Sequence, residues 1–525
     1  MPARVGLKAV SLGIAAVFAA PLAYLLLRAA ADPGDVVSIW NSADTWGPLL
    51  RTLTLAGSVA VAAAVLGTGL AWLTARTDLP GRAAWRLVLP LPLVIPSFIG
   101  AFSLIAAFAP GGLLQEALAP FGVTSLPQVR GFWGAFAVLA LLTYPYVYLP
   151  TAARLRQLPQ SLEESARLLG RSPWASFRTT VLPQTRSAIL AGTLLVFLYC
   201  VSEFGVVQLM RYDTLTRSIY ASRIYAQPIA LSLSLLLGLL AVTVAAAERV
   251  GAGISASSQG ARVGKPLEIT LGRWRPAALA ATGLTTLLAL VAPLSVLAFW
   301  AVRGLAGGRS SAGALAADLG GLAGPAANTA LVSVTAAVLA VAVLLPIAYL
   351  SVRQRGRVAD TANAVVVGGF ALPGLVIALA LVQWTLGAGP LDVLYQTRTL
   401  LVVAYVVHFG AQALRAGQVA VASIPSRVED AARMLGAGRW KRLTTVELPL
   451  MTPGLLAGAG LVLLSAMKEL PATLLLAPPG FQTLATKVWT ATEDAFLAQA
   501  SLAAILLVAL SAVLTWLLVL RQLRE

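Results

Sequence analysis

Long apolar runs separated by short polar stretches dominate this chain. Twelve of the runs are long enough, at about 20 residues each, to cross a lipid bilayer as helices. They cover residues 8–29, 52–75, 85–109, 132–153, 187–209, 228–247, 276–302, 329–352, 362–386, 398–414, 453–477 and 497–520. The pattern therefore predicts an all-α integral membrane protein with twelve transmembrane helices, six in each half. Pro residues inside several runs predict kinked helices.

Composition and charge agree with a membrane protein. The chain is 58% hydrophobic and 11% charged, whereas a soluble domain carries roughly a quarter charged residues. The net charge of +17 comes from Lys and Arg in alternate loops, as expected of cytoplasmic loops, and does not indicate a nucleic-acid partner. This distribution predicts that both termini are cytoplasmic. The loop at 210–227 goes against the rule, since it contains Arg211, Arg217 and Arg223.

A pattern of about thirty residues occurs twice, without a gap between the copies. The first copy contains Pro159, Glu164, Ser165, Ala166, Gly170 and Pro183, and the second contains Pro425, Asp430, Ala431, Ala432, Gly436 and Pro449. The repeat extends further, because Thr52, Ala71 and Arg76 correspond to Thr329, Ala348 and Arg353, and residues 212–220 correspond to 481–489. The chain is therefore an internal duplication.

The duplication divides the chain into two six-span domains. Residues 1–250 form the first domain, with a basic loop at 156–186, and residues 275–525 form the second, with a basic loop at 416–452. We call these the first and second motif loops. Because each half has an even number of spans, the repeats insert in the same orientation. Residues 251–274, rich in Gly, Ser and basic residues, are predicted to be a flexible cytoplasmic linker.

The repeated pattern resembles the coupling loop, E-A-A-x3-G-x9-I-x-L-P, of binding-protein-dependent ABC import permeases. The chain departs from it at Ser165, Thr180 and Asp430. The resemblance implies that each half is a type I importer permease domain in the bacterial cytoplasmic (inner) membrane. It also implies two copies of a separate ATPase subunit, one docked on each motif loop, and an extracytoplasmic solute-binding protein.

Each motif loop has the pattern of a short amphipathic helix, a Gly hinge and a second short helix that ends before Pro. Leu162, Ala166 and Leu169 fall on one face of the first helix at helical spacing, as do Val428, Ala432 and Leu435 in the other copy. We expect this face to dock on a partner. The alternative is a surface helix that packs only on its own bundle.

The sequence gives no reason to expect catalysis in this chain. The segment 260–266 is the nearest approach to a P-loop, but it is one residue short and has Pro266 in place of the magnesium-binding hydroxyl. One His and one Cys cannot form a zinc site, so no metal or other cofactor is predicted. ATP and magnesium are expected in the partner ATPase.

Ionisable residues inside the spans are candidates for a substrate pathway, because they are costly in lipid. Glu203 and Glu469 occupy equivalent positions beyond the motif loops, Lys468 precedes Glu469, and His408 lies within the tenth run. The two acids could form a cation-handling pair. They could equally be structural, bonded to loop backbone or, for Glu469, neutralised by Lys468. His408 could likewise be a packed interior residue.

The substrate is less clearly encoded than the transporter class. The fused double permease and residues 468–476 and 480–486 resemble ferric-iron import permeases, which implies ferric iron as the substrate. Permeases for thiamine, polyamines, phosphonates or sulfate share the six-span unit and remain alternatives. A secondary transporter also fits twelve spans in parallel repeats, although it needs no Gly-hinged coupling loops. A membrane-embedded enzyme would require more His, Asp or Cys residues at one membrane face.

Overall fold

The computed structural model describes residues 2–255, 268–307, 312–354, 356–387 and 389–524. The helices of the first half are α1 (Pro2–Ala31), α2 (Pro33–Trp40), α3 (Ala43–Arg76), α4 (Arg82–Val88), α5 (Ser97–Phe108), α6 (Leu113–Leu118), α7 (Gly131–Thr143), α8 (Pro145–Gln157), α9 (Gln160–Leu168), α10 (Pro173–Ser176), α11 (Leu182–Ser202), α12 (Gly205–Leu209), α13 (Leu215–Ser222) and α14 (Gln227–Ser255).

The second half repeats this succession. Its helices are α15 (Arg275–Thr286), α16 (Ala292–Gly307), α17 (Ala312–Arg353), α18 (Arg357–Gly369), α19 (Gly374–Gly387), α20 (Arg398–Ala422), α21 (Ser426–Met434), α22 (Arg439–Arg442), α23 (Leu448–Met467), α24 (Pro471–Leu476), α25 (Leu484–Glu493) and α26 (Leu497–Arg524). Three π-helical turns occur at Phe177–Val181, Leu287–Val291 and Leu443–Glu447. Short 3₁₀ turns lie at Leu91–Val94, Ala119–Phe121, Gly272–Trp274 and Gly389–Leu394.

Within the described ranges, eleven helical segments are long and apolar enough to cross a membrane. A twelfth crossing forms if α18 and α19 are counted together, although they are bent by 104° at the break between them. The prediction of an all-α protein with twelve spans in two repeats is therefore confirmed. The runs at 85–109 and 362–386, where prolines predicted kinks, are divided by full helix breaks just before Pro96 and Pro373. Proline lacks the N–H that would continue the preceding helix and clashes with its last turn.

Contacts between Cα atoms divide the chain into two compact units that differ from its sequence halves. The first unit contains Ser42–Ser218 and Thr243–Ala306, and the second contains Met1–Asn41, Ile219–Val242 and Gly307–Glu525. Helix α1 therefore belongs with the second half of the chain, because it packs against α17, α18 and α19. The division at 1–250, 251–274 and 275–525 remains a prediction about the sequence repeat.

Small residues allow close helix packing inside each unit. In the first unit α3 packs on α8 and α11, and a Cβ on Gly67 would come within 2.8 Å of the backbone oxygen of Tyr144. In the second unit α17 packs on α20 and α23. There a Cβ on Gly410 would come within 2.8 Å of Leu344 and 2.7 Å of Phe18. In the sequence repeat, Gly67 of the first unit corresponds to Leu344, and Tyr144 corresponds to Gly410. The small residue is therefore on the first long helix in one unit and on its partner in the other.

The end of the predicted linker is attached to the first unit. The backbone of Ile269 accepts the N–H of Asp78 and donates to the carbonyl of Arg76. The Asp78 carboxylate accepts the N–H of Leu271 and pairs with Arg275, and these two contacts hold the pKa of Asp78 below its ordinary value. Residues 256–267, which include the P-loop-like segment, lie outside the described residues. The last part of the linker therefore contacts the first unit, and the flexibility expected of residues 251–274 stays a prediction.

Arg217 and Arg223 of the loop at 210–227 have local partners. Arg217 and Arg51 both pair with Asp213, and the guanidinium of Arg223 lies 3.5 Å from the centre of the Tyr220 ring. A neighbouring acid offsets the charge of Arg217, and the face of an aromatic ring attracts the cation of Arg223. These contacts explain how a loop can carry Arg217 and Arg223 against the general distribution of basic residues.

Candidate functional site

Each motif loop folds as two short helices joined at a glycine. Helix α9 is followed by Gly170 at φ +80°, and α21 is followed by Gly436 at φ +76°. Two hydrogen bonds close these helix ends, from Arg171 N–H to the carbonyl of Ala166 (3.2 Å) and from Ala437 N–H to that of Ala432 (3.0 Å). This six-residue closure requires a left-handed residue, which favours Gly. The Gly at fixed spacing after the motif Ala therefore ends the helix.

The segment after each glycine differs from the prediction at its far end. Helices α10 and α22 continue through the π-helical turns Phe177–Val181 and Leu443–Glu447 directly into α11 and α23. The motif prolines, Pro183 and Pro449, lie in the first turn of these long helices. Because the helix is continuous there, each proline withholds one backbone N–H from the preceding turn, and that turn is the π-helical one. The second short helix therefore does not stop before Pro.

The residues of the predicted apolar face of the loop helices do not all point the same way: some are buried and others are exposed. Ala166 and Ala432 are buried within their own units. In contrast, Leu168 and Leu169 at the end of α9, and Met434 and Leu435 at the end of α21, are each more than about four-fifths exposed. The expectation that Ala166 and Ala432 share one docking face with Leu169 and Leu435 is therefore wrong. Each loop presents an exposed apolar pair, and we call these pairs the loop tips.

The motif acids point outwards. Glu164 accepts a hydrogen bond from the amide of Gln160 (2.7 Å), and Asp430 pairs with Arg433 (3.1 Å). Both acids are exposed, as are Ser165 and Ala431. Exposed pairs of this kind contribute little to stability, so these residues are available to a partner.

The acids one residue earlier are buried, and the sequence reasoning missed them. Glu163 pairs with Arg76, and Glu429 lies 2.6 Å from Arg353. Helices α3 and α17 end at these arginines. The signal was present in the sequence, because Arg76 corresponds to Arg353 and both motif copies have two adjacent acids. Periodicity alone could not show which acid faces inwards.

The second motif loop has an additional buried ion pair. The Nε of Arg442 donates to Glu447 at 2.6 Å across the π-helical turn. In the first motif loop the equivalent positions hold Ser176 and Val181, and the ring of Phe177 there meets Trp72 edge-on. The two loops are therefore attached to their units by different chemistry.

Glu203 and Glu469 occupy equivalent breaks at the ends of long helices. Helix α11 ends one residue before Glu203, and α23 ends just before Lys468 and Glu469. The helices place both acids about 30 Å from the motif prolines, at 1.5 Å per residue. The predicted runs 187–209 and 453–477 are therefore not continuous helices. Lys468 is the C-terminal cap of α23, a position that favours a cation.

Both carboxylates cap the short helix that follows them. Glu203 accepts the N–H of Val206 (3.0 Å), and Glu469 accepts the N–H of Ala472 (3.0 Å). Glu203 also accepts a hydrogen bond from Ser97 (2.9 Å) at the start of α5. A carboxylate at a helix N-terminus is stabilised by the helix dipole. This is the geometry that the structural alternative requires.

His408 is brought close to Glu469 in the second unit. A Cβ on Gly374 would lie 2.7 Å from Glu469 Oε1 and 3.3 Å from His408 Nε2, so both side chains approach the same backbone position. The imidazole is half-buried, and its ring centre lies 4.3 Å from that of Phe409. Glu203 belongs to the first unit, where Ser97 stands in the position of Gly374. The two acids therefore have different surroundings.

Comparison with known proteins identifies the repeated unit. The family model for the binding-protein-dependent transport system inner membrane component matches residues 63–310 and again 344–522. The Fe(3+)-transport system permease protein FbpB 2 of Haemophilus influenzae is 29% identical over 475 residues, which cover 90% of this chain and 89% of that protein.

Shorter similarities involve other transport proteins. The molybdenum transport system permease protein ModB of Escherichia coli is 32% identical over 30% of this chain and 69% of its own length. The sulfate transport system permease protein CysT of Escherichia coli is 33% identical over 27% of this chain and 50% of its own length.

Proposed function

This chain belongs to the family of binding-protein-dependent transport system inner membrane components, and on that premise we propose that it couples a membrane pathway to ATP hydrolysis by separate subunits. The family is that of ABC importer permeases, and the two family domains lie within one chain. We propose further that both termini and both motif loops are cytoplasmic. The excess of Lys and Arg in these loops supports that orientation.

The observation that carries this proposal is the repeated loop tip. Leu168 is 88% exposed and Met434 is 89% exposed, although both are large apolar residues at the end of a helix. An apolar pair held outside the unit is typical of a surface that is covered by a partner. Glu164, Ser165, Asp430 and Ala431 lie on the exposed side of the same helices. One ATPase subunit for each tip gives two copies in the complex.

We propose ferric iron as the substrate, delivered by an extracytoplasmic solute-binding protein. The similarity to the Fe(3+)-transport permease covers 90% of this chain, including both repeats. The molybdenum and sulfate permeases match about a third of the chain or less. Molybdate and sulfate are anions, whereas ferric iron is a cation. A pathway for ferric iron therefore has to accept the opposite charge from a pathway for molybdate or sulfate.

We also propose that Glu203 and Glu469 belong to the pathway, with Lys468 and His408 beside Glu469. The equivalent positions of the two acids, far from the motif loops, support this role. Their capping bonds support the structural alternative, in which the carboxylates only hold short helices. The two roles predict different results when the charge alone is removed: a pathway role predicts slower transport, and a structural role predicts lower stability.

Association with an ATPase tests the coupling role directly. We expect the ATPase to co-purify with the wild-type chain and to be lost when Leu168, Leu169, Met434 and Leu435 are all replaced by Asp, because charged tips cannot enter an apolar cleft. A control is Tyr225→Asp, since Tyr225 is 93% exposed outside the motif loops and outside the candidate membrane spans. Retention of the ATPase by the tip variant, or failure of the wild-type chain to bind any ATPase, would overturn the proposal.

A further inference from the structure

The same buried ion pair joins a long helix to a loop helix in both repeats. Arg76, the last residue of α3, pairs with Glu163 of α9. Arg353, the last residue of α17, lies 2.6 Å from Glu429 of α21. We call these two contacts the latches. They connect each motif loop to the longest helix of its own unit.

Burial indicates that the latches serve more than stability. Arg76 is 1% exposed and Glu163 is 4% exposed, and Glu429 is also buried. Removing two charges from water costs about as much as their attraction returns, so apolar residues of similar size are often as stable as a buried pair. A guanidinium and a carboxylate do fix a direction and a distance, because the planar fork of Arg allows few arrangements. The latches therefore hold each loop helix at a fixed distance and orientation relative to the end of the long helix.

The arginines also make contacts that extend the joint beyond the loop helix. Arg353 donates to the carbonyls of Val421 (3.1 Å) and Ile424 (2.8 Å) at the end of α20. One side chain therefore holds α17, the end of α20 and the start of the second motif loop. On the first latch, the carbonyl of Arg76 accepts the N–H of Ile269 from the linker.

A continuous helix leads from each latch towards the acids. Helix α3 is unbroken from Arg76 back to Thr52, about 36 Å at 1.5 Å per residue. The Thr52 hydroxyl accepts the N–H of Leu215 (2.9 Å), and Thr216 donates to the carbonyl of Glu203 (2.6 Å). A displacement of the loop helix therefore has a chain of direct contacts to the helix break at Glu203.

We propose that Arg76, Glu163, Arg353 and Glu429 are positioning residues of the coupling device. They pass movement of α9 and α21 to α3 and α17. This inference rests on the proposed function, because it requires ATPase subunits that move the motif loops. The latches themselves need not touch the ATPase, since Arg76, Glu163 and Glu429 are buried in the permease and Arg353 is partly buried.

The test is a reconstituted complex of the full chain, its ATPase and its binding protein. All four latch residues are replaced by Met, which leaves no buried charge unpaired. We expect the complex to assemble, with a fall of roughly tenfold in binding-protein-stimulated ATP hydrolysis per assembled complex, within the range of typical coupling between sites. Wild-type stimulation by this variant would overturn the inference. If the wild-type complex shows no stimulated hydrolysis, the proposed function itself fails.

A control pair and a milder variant complete the experiment. Arg28 and Asp32 form an exposed pair away from both latches (3.5 Å), and replacing both with Met should leave stimulated hydrolysis unchanged. If the four-Met variant cannot be isolated, Glu163→Gln with Glu429→Gln keeps the side-chain shape and removes the charge. Stimulation per assembled complex should again fall, and an unchanged value would contradict the proposal.

Discussion

The hydroxyl of Thr52 accepts a hydrogen bond from the backbone N–H of Leu215, at 2.9 Å in a buried position. The equivalent contact joins Thr329 to Leu484 at 2.8 Å in the other repeat. Few residues around Leu215 and Leu484 are identical, yet the contact has the same donor and acceptor. The duplication therefore preserves a backbone attachment between a long helix and the segment that follows each buried acid.

Replacing Thr52 with Val should destabilise the protein by about 2 kcal/mol, because the buried N–H of Leu215 loses its acceptor. Thr52→Ser keeps the hydroxyl and should cost less. Thermal unfolding of the purified chain in detergent measures both variants. Equal destabilisation by Val and Ser would show that packing of the Thr methyl group, and not the hydrogen bond, makes the attachment.

Substitution at the loop glycines should act through backbone conformation. No atom lies within 4 Å of a Cβ placed on Gly170 or Gly436, so side-chain size meets no obstacle. Their positive φ angles disfavour Val, at a cost of about 1–2 kcal/mol for the helix end, whereas Asn tolerates this conformation better. Gly170→Val with Gly436→Val should remain membrane-inserted but bind the ATPase less well and transport less.

The matched control for the glycine variants is Gly170→Asn with Gly436→Asn. Co-purification with the ATPase and uptake assays compare the two double variants. If the Val variant transports normally, the glycine conformation is unnecessary for coupling. If the Asn variant loses as much activity as the Val variant, side-chain presence and not backbone strain is the cause.

The two motif loops should respond differently to substitution. Glu447→Gln leaves Arg442 buried without its counter-charge and should destabilise the second motif loop by about 3 kcal/mol. Ser176→Ala, at the position of Arg442 in the first motif loop, should cost less than about 1 kcal/mol, because it removes only a small buried hydroxyl. Limited proteolysis and thermal unfolding measure the difference. Equal losses would contradict the asymmetry.

Neutralising the two acids separates a pathway role from a structural one. In Glu203→Gln with Glu469→Gln, an amide oxygen can still accept the N–H of Val206 or Ala472, but the charge that attracts a cation is gone. If the acids handle a cation, uptake per folded complex in proteoliposomes should fall while binding-protein docking and ATPase assembly persist. Undiminished uptake together with a lower unfolding temperature would remove both acids from the pathway.

The membrane architecture could be predicted from the sequence because it depends on local composition. Apolar runs of sufficient length and a gap-free internal repeat predict twelve spans in two equivalent sets, and the structure confirms this. The helix ends at Gly170 and Gly436 were also predictable, since one residue type satisfies their conformation. The breaks before prolines were underestimated, because a run such as 362–386 is almost entirely apolar although α18 and α19 are bent by 104° at the break between them.

The contacts that position the loops could not be predicted, because they join residues far apart in the chain. Glu163 and Glu164 are adjacent and chemically identical, and only the place of Arg76 decides that Glu163 is buried. The packing of α1 in the second unit could not be predicted for a similar reason. Apolar residues lie all around this helix, so its sequence does not indicate which face packs against a neighbour. Contacts between residues that are distant in the sequence decide which side chain is buried, and hydrophobic periodicity does not show those contacts.

Uptake of radiolabelled ferric iron into proteoliposomes tests the account most directly. The vesicles contain the full chain with its ATPase, the binding protein is supplied on the outer side, and ATP is enclosed with the ATPase. We predict iron accumulation that requires ATP, the binding protein and intact loop tips, with no accumulation of molybdate or sulfate. Accumulation driven by an ion gradient without the ATPase would contradict the account and indicate a secondary transporter.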